Sequence, residues 1–125
     1  MKDFLIGVVG PCAAGKSTLI QGLLEFGLSA RHIAQEHSMV PDMWKRLTNP
    51  DVLIFLDVSY PPTIKRKNMG WTETEYNEQR LRLQHAIQNA DLYIHTDLLT
   101  IEEVRNEALS FIRNLDHSPL VDNHL

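Results

Sequence analysis

From residue 3 to residue 9 nearly every position is apolar, the pattern of a central parallel strand covered on both faces. The period then changes. Leu19, Ile20, Leu23 and Leu24 form one stripe at helical spacing, which predicts a helix over residues 16–26 that Gly27 stops. Residues 28–34 read as a second strand, weaker because Arg31 and His32 interrupt it, and residues 35–38 as the loop at its carboxyl end. Pro41 suits the first position of a short helix reaching Leu47, and Thr48, Asn49 and Pro50 end it. Residues 51–58 are the clearest strand after the first. Pro61 and Pro62 break it, residues 63–67 predict one or two helical turns, and residues 68–70 a turn. Thr72 and Glu75 form a capping box, and Tyr76, Leu83, Ile87 and Ala90 share one face, so a single long helix is predicted to about Asn89. Residues 91–96 are a last strand. Thr100 and Glu103 make a second capping box, for a helix with Ile101, Val104, Ala108, Phe111 and Ile112 facing inward. After Leu115 periodicity ends, and residues 116–125 read as a flexible tail.

Four strands alternating with helices predict an α/β fold with a parallel sheet and right-handed crossovers, one domain over residues 1–115. Ligands of such sheets bind at the carboxyl ends of the strands. That rule places residues 10–17, 35–38, 57–59 and 95–97 along one rim.

Composition changes this picture only at its edges. A net charge of −4 and a pI near 5.8 provide no basic field for a nucleic-acid backbone. The one cysteine, Cys12, excludes an internal disulfide and fits a reducing compartment. Met1, Lys2 and Asp3 lead straight into the first strand, so no signal peptide is expected. No apolar run approaches the ~20 residues that span a bilayer. The expected location is the cytoplasm, without membrane or nucleic-acid partners.

The chemistry lies where the first strand meets the first helix. Gly10-x-x-x-x-Gly15-Lys16-Ser17 follows the strand at once and opens the helix, which is the P-loop (Walker A) pattern in the context it requires. Gly10 and Gly15 permit backbone angles and a close approach that a Cβ would block. Pro11, Cys12, Ala13 and Ala14 then complete an anion nest, extended by Thr18 and the helix N-terminus. Lys16 is placed to reach the β- and γ-phosphates, and the Ser17 hydroxyl to join the shell of a Mg²⁺ ion. The loop predicts nucleoside triphosphate binding. Replacing Lys16 with Ala is expected at this level to abolish nucleotide affinity or turnover and leave the fold intact.

The sequence resembles the P-loop nucleoside and nucleotide kinases (adenylate, thymidylate and dephospho-coenzyme A kinases and their relatives). The resemblance rests on the loop, on residues 49–59, on the basic residues 63–67 and on residues 89–97 with the Leu-Thr-x-Glu-Glu-Val that follows, about half the chain. It implies a P-loop NTPase fold, a three-layer sandwich with helices on both faces. The second strand would lie beside the first, in the order 2-1-3-4. It implies transfer of a phosphoryl group from Mg-ATP to a small nucleoside-like, nucleotide-like or metabolite acceptor. Lys65, Arg66 and Lys67 stand where the group places its lid arginines, and Arg66 is the preferred γ-phosphate contact because a planar fork suits phosphate oxygens. Arg80 and Arg82 are second choices. The members of the group carry five core strands and a substrate-binding insertion, whereas only residues 28–49 are available here for both.

Several side chains keep two readings. Glu36 is a Mg²⁺ ligand through water or the base for the acceptor proton, or else a solvated loop carboxylate. Asp57 holds water near the metal or caps the turn that follows. Arg31, Gln35, His37, Met39, Met43 and Trp44 lie where the group binds its acceptor, and Trp44 either stacks on a base or joins the core. Cys12 sits where a helix end can activate a thiol, or serves as a spacer. The six histidines show no helical metal spacing and no companion cysteines, so no zinc site is expected. No Asn-Lys-x-Asp sequence occurs, which argues against a GTPase. Two rivals to the kinase stand: a nucleotide-dependent switch or accessory module acting through a protein partner, and a reduced domain completed by homo-oligomerisation.

Overall fold

In the computed structural model, which describes residues 4–67 and 70–116, the first apolar run becomes strand β1 (Leu5–Val9). Helix α1 (Lys16–Glu25) follows, then β2 (Ser29–His32), a 3-10 turn (Gln35–His37), α2 (Met43–Leu47) and β3 (Val52–Asp57). The remaining elements are α3 (Tyr60–Lys67), α4 (Glu73–Arg82), α5 (Gln84–Asn89), β4 (Leu92–His95) and α6 (Ile101–Asp116). The four strands are all parallel and ordered β2-β1-β3-β4, as expected.

Alternation along the strands sorts the core into two faces. Ile6, Val8, Ile54 and Leu56 pack with Leu19 and Leu23 of α1 and with Val104 and Ala108 of α6. Val9, Leu53 and Phe55 pack on the other side with Trp44 of α2, Leu83 and Ala86. Strand β3 is buried at every position, which explains its unbroken apolar sequence.

Four boundaries differ notably from the sequence expectation. Helix α2 begins at Met43 with Asp42 as its N-cap, so Pro41 lies in the turn before it and not at its first position. Helix α3 begins at Tyr60, so Pro61 and Pro62 start a helix instead of merely ending a strand. The first turn of a helix needs no intrahelical N–H, and the fixed proline φ suits it. Strand β2 is shorter than residues 28–34, and part of the loop after it winds into the 3-10 turn. The single long helix over 72–89 is divided at Leu83, the residue between α4 and α5. Gln35 accounts for the break. Its Nε2 donates to the Arg82 carbonyl at 3.2 Å and to the Val40 carbonyl at 2.8 Å, while its Oε1 accepts the Trp44 N–H at 2.8 Å. A side chain inserted into the ladder of a helix is a known cause of a kink. Asp116 still belongs to α6; the rest of the expected tail, residues 117–125, lies outside the described residues, as do residues 1–3 and 68–69.

Gln35 is 1% exposed, so Gln35→Ala leaves one donor and two acceptors without their partner. We expect a loss of about 2–3 kcal/mol in denaturant unfolding. A loss below about 0.5 kcal/mol would mean that the break at Leu83 has another cause.

Candidate functional site

Gly10 follows β1 directly and packs against β3: a Cβ there would overlap the Leu56 carbonyl oxygen. The chain then turns through Ala13 (φ 70°) and Gly15 (φ 97°), both left-handed, with Ala14 N–H donating to the Pro11 carbonyl at 3.2 Å. A left-handed alanine costs of order 1 kcal/mol, so the surrounding contacts must hold it. Gly15 occupies the N-cap of α1 and no side chain caps the helix, which leaves its positive end for an anion. Cys12, Ala13, Ala14, Gly15, Lys16, Ser17 and Thr18 line a cavity of about 800 Å³, the size of a small-molecule pocket.

Lys16 is buried and reaches back over the loop. Its Nζ donates to the Gly10 carbonyl at 2.6 Å, the Pro11 carbonyl at 3.0 Å and Glu36 Oε2 at 3.0 Å. Glu36 is only 2% exposed, so the solvated reading of this carboxylate is excluded. A buried charge is expensive unless paired, and Lys16 supplies the pairing. The other oxygen, Oε1, is buried with no hydrogen-bond partner. His32 and His37 each bring Nε2 to 3.7 Å from Glu36 Oε2, and Arg82 Nη1 donates to the Glu36 carbonyl at 3.3 Å. Burial, and then the Lys16 charge, hold the His32 pKa below its ordinary 6.5.

On the opposite wall, Arg66 projects from the last turn of α3. Nη1 donates to the Ala13 carbonyl and to Thr96 Oγ1, both at 3.0 Å, and Nη2 donates to the Thr96 carbonyl at 2.8 Å. The helix that carries it is anchored by Trp71, whose indole N–H donates to Thr63 Oγ1 at 2.9 Å and whose carbonyl accepts from Tyr60 at 2.7 Å. Arg66, Thr96, Leu99, Ile101 and Val104 extend the cavity beyond the loop, with an apolar far end. Lys65 is exposed outside the lining, and the Lys67 side chain lies outside what the structure describes.

Three other candidates go elsewhere. Asp57 points to the other face of the sheet, where Oδ1 accepts from Val58 N–H and from Arg80, and Oδ2 accepts from Tyr93 at 2.6 Å. That contact occupies Arg80 as well, which therefore does not serve the cavity. Trp44 is 7% exposed and its indole N–H donates to His85 Nδ1 at 3.0 Å, so it belongs to the core and cannot stack on a base. Of the proposed acceptor-region residues, His37 reaches the cavity; Arg31, Met39 and Met43 do not line it.

The Asp57 cluster has a consequence at high pH. Burial, reinforced by the hydrogen bond to Asp57, pushes the Tyr93 hydroxyl up to about 12 from 10.0. A raised folded value means that the unfolded chain releases this proton first. The stabilisation is complete below pH 10 and is lost as pH rises through about 12. Tyr93→Phe should flatten that part of the stability profile; an unchanged slope between pH 10 and 12 in the variant would contradict the assignment.

The sequence alone missed Gln79. From α4 its Oε1 accepts the Cys12 N–H at 3.0 Å and its Nε2 donates to Cys12 Sγ at 3.2 Å, so a buried glutamine holds the loop from behind. A signal existed: Gln79 lies three residues after Tyr76 and four before Leu83, on the apolar stripe, where a polar side chain needs a partner. Thr96 was placed only by its rim position, and Arg82 acts on the Glu36 backbone. Nor did the sequence bring together Cys12, Glu36 and His37, whose donor atoms lie within 4.8 Å of one another. Spacing rules could not reveal this grouping, because the thiol comes from a different loop. Among the described residues no helix is long and apolar enough to cross a membrane. No protein-family model matches the chain, and no curated protein matches it either.

Proposed function

We propose that this protein binds ATP with Mg²⁺ in the 800 Å³ cavity and transfers the γ-phosphoryl group to a small nucleoside-like, nucleotide-like or metabolite acceptor. One observation carries the reading. The glycine-bounded loop, Lys16 and Arg66 converge on one cavity, with the buried carboxylate of Glu36 at its edge. Phosphoryl transfer depends on positioning and on cations around the migrating group, and this arrangement supplies both.

Residues 10–18 would cradle the phosphates. Lys16 exchanges Glu36 for the β- and γ-oxygens, and Arg66 turns its fork from Thr96 onto the γ-phosphate. The donor set fits Mg²⁺, a hard cation: the Ser17 hydroxyl is exposed in the cavity, and Glu36 Oε1 has no partner. When bound, the ion neutralises charge on the β- and γ-oxygens. Once released from Lys16, Glu36 orients the acceptor hydroxyl and takes its proton. The apolar wall of Leu99, Ile101 and Val104 suits a base.

A second reading, a nucleotide-dependent switch acting through a protein partner, is favoured by Met39 and Leu47, which are 79% and 75% exposed beside the shortened acceptor region. Phosphorus NMR of Mg-ATP, with and without pooled nucleosides, nucleotides and hydroxylated metabolites, separates the two. Acceptor-dependent ADP and a new phosphoester are expected. In Arg66→Ala that signal should fall by ~1,000-fold with a much smaller change in ATP affinity. Saturable binding with no acceptor-dependent product from any pool would favour the switch, and absence of ATP binding would overturn both readings.

A further inference from the structure

Cys12, Glu36 and His37 offer a sulfur, an oxygen and a nitrogen within 4.8 Å of one another, and no step of the phosphoryl transfer uses that combination. We infer that they form a binding site for a thiophilic divalent cation of the Zn²⁺ class. The inference does not rest on the nucleotide reading, because it uses only the relative positions of the loop and the 3-10 turn.

One observation beside the grouping itself points to a ligand here. The Glu36 side chain is almost fully buried; its Oε2 lies 3.7 Å from His37 Nε2, and its Oε1 has no hydrogen-bond partner, a cost that a cation held by this carboxylate would remove. Cys12 is also fixed in place: Gln79 Nε2 donates to Sγ at 3.2 Å while Gln79 Oε1 accepts from the Cys12 backbone N–H. A donor aimed at sulfur orients that atom.

The geometry lies within reach of side-chain rotation. Tetrahedral Zn²⁺, with bonds of about 2.0–2.3 Å, sets its donors roughly 3.5 Å apart, so the three atoms must close by about 1 Å. The Cys12 thiol is partly exposed and the His37 side chain is 60% exposed, so both can turn and the ion can enter. Binding forms a metal–sulfur bond, breaks the S–H bond and releases that proton to water. A water completes the fourth position. Sulfur and imidazole nitrogen select against Mg²⁺, which takes oxygen donors.

Lys16 opposes the ion. Its ammonium lies 3.0 Å from Glu36 Oε2, and His32 and the Arg82 guanidinium also stand near this residue. A dication entering the cluster must displace Lys16 from the carboxylate, so the lysine and the cation compete for Glu36.

Titration of the whole, nucleotide-free protein with Co²⁺, a spectroscopic substitute for Zn²⁺, tests this. A thiolate-to-cobalt charge-transfer band should saturate at one cobalt per chain. Zn²⁺ should abolish it, and a large excess of Mg²⁺ should not. Cys12→Ser should remove the band, and His37→Ala should weaken cobalt binding at least ~10-fold. Lys16→Met should strengthen it by ~10-fold or more while losing nucleotide binding, so failure of the metal site and failure of the nucleotide reading give different results. Circular dichroism checks each variant, and if Cys12→Ser does not fold, exposed His37 carries the test. No charge-transfer band, unchanged binding in His37→Ala, or Mg²⁺ displacing cobalt as readily as Zn²⁺ would overturn the site.

Discussion

Lys16→Ala is expected to abolish nucleotide binding and also to destabilise the protein by about 3 kcal/mol. The second effect comes from Glu36. With the ammonium removed, a carboxylate only 2% exposed keeps one oxygen without a partner and loses the pairing of the other. Removing one member of a buried ion pair costs far more than the pair itself contributes. The expectation from sequence, an intact fold in Lys16→Ala, therefore changes: the variant should fold, with a midpoint lower by roughly 10 °C. Glu36→Gln in the same background removes the uncompensated charge and should restore most of the loss. Thermal unfolding of the single and double variants checks it. Equal stability of Lys16→Ala and the parent would mean that water reaches Glu36 freely when Lys16 leaves.

Gly10→Ala should be the more damaging change, about 4 kcal/mol or more, enough to leave little folded protein. The new methyl group would overlap the Leu56 carbonyl, a backbone atom of the fully buried strand β3, so no rotamer change can relieve it. Gly15→Ala provides the comparison. A Cβ at Gly15 meets nothing within 4 Å, and only its left-handed φ of 97° penalises alanine, by about 1–2 kcal/mol. Denaturant midpoints of the two variants measure the difference directly. Comparable losses would show that crowding at Leu56 is not what requires a glycine at position 10.

The phosphate-loop pattern, the flanking strand and helix, and the parallel four-strand sheet could be recognised from local pattern alone. Apolar runs in β1 and β3 are intrinsic to those segments, and the glycine spacing reflects backbone angles that only nearby residues determine. Both capping boxes were placed correctly for the same reason: their donors and acceptors are three residues apart. The division of the long helix at Leu83 escaped detection because its cause, Gln35, lies 47 positions from the carbonyl it takes.

The candidate site divides along the same line. Gly10 to Thr18 could be named from spacing, whereas the partners of those residues depend on how distant segments cross. Arg66 and Arg80 are alike in sequence, each on a helix after β3, yet one lines the cavity and the other pairs with Asp57 on the far face. Glu36 kept both a functional and a solvated reading in the sequence; the 3-10 turn buries it against Lys16, and Cys12 meets His37 and Gln79 only through tertiary packing. Short-range pattern encodes elements because steric and hydrogen-bonding preferences act within a few residues. Which charges are paired, and which polar atoms remain without partners, is decided by long-range packing that places them out of water.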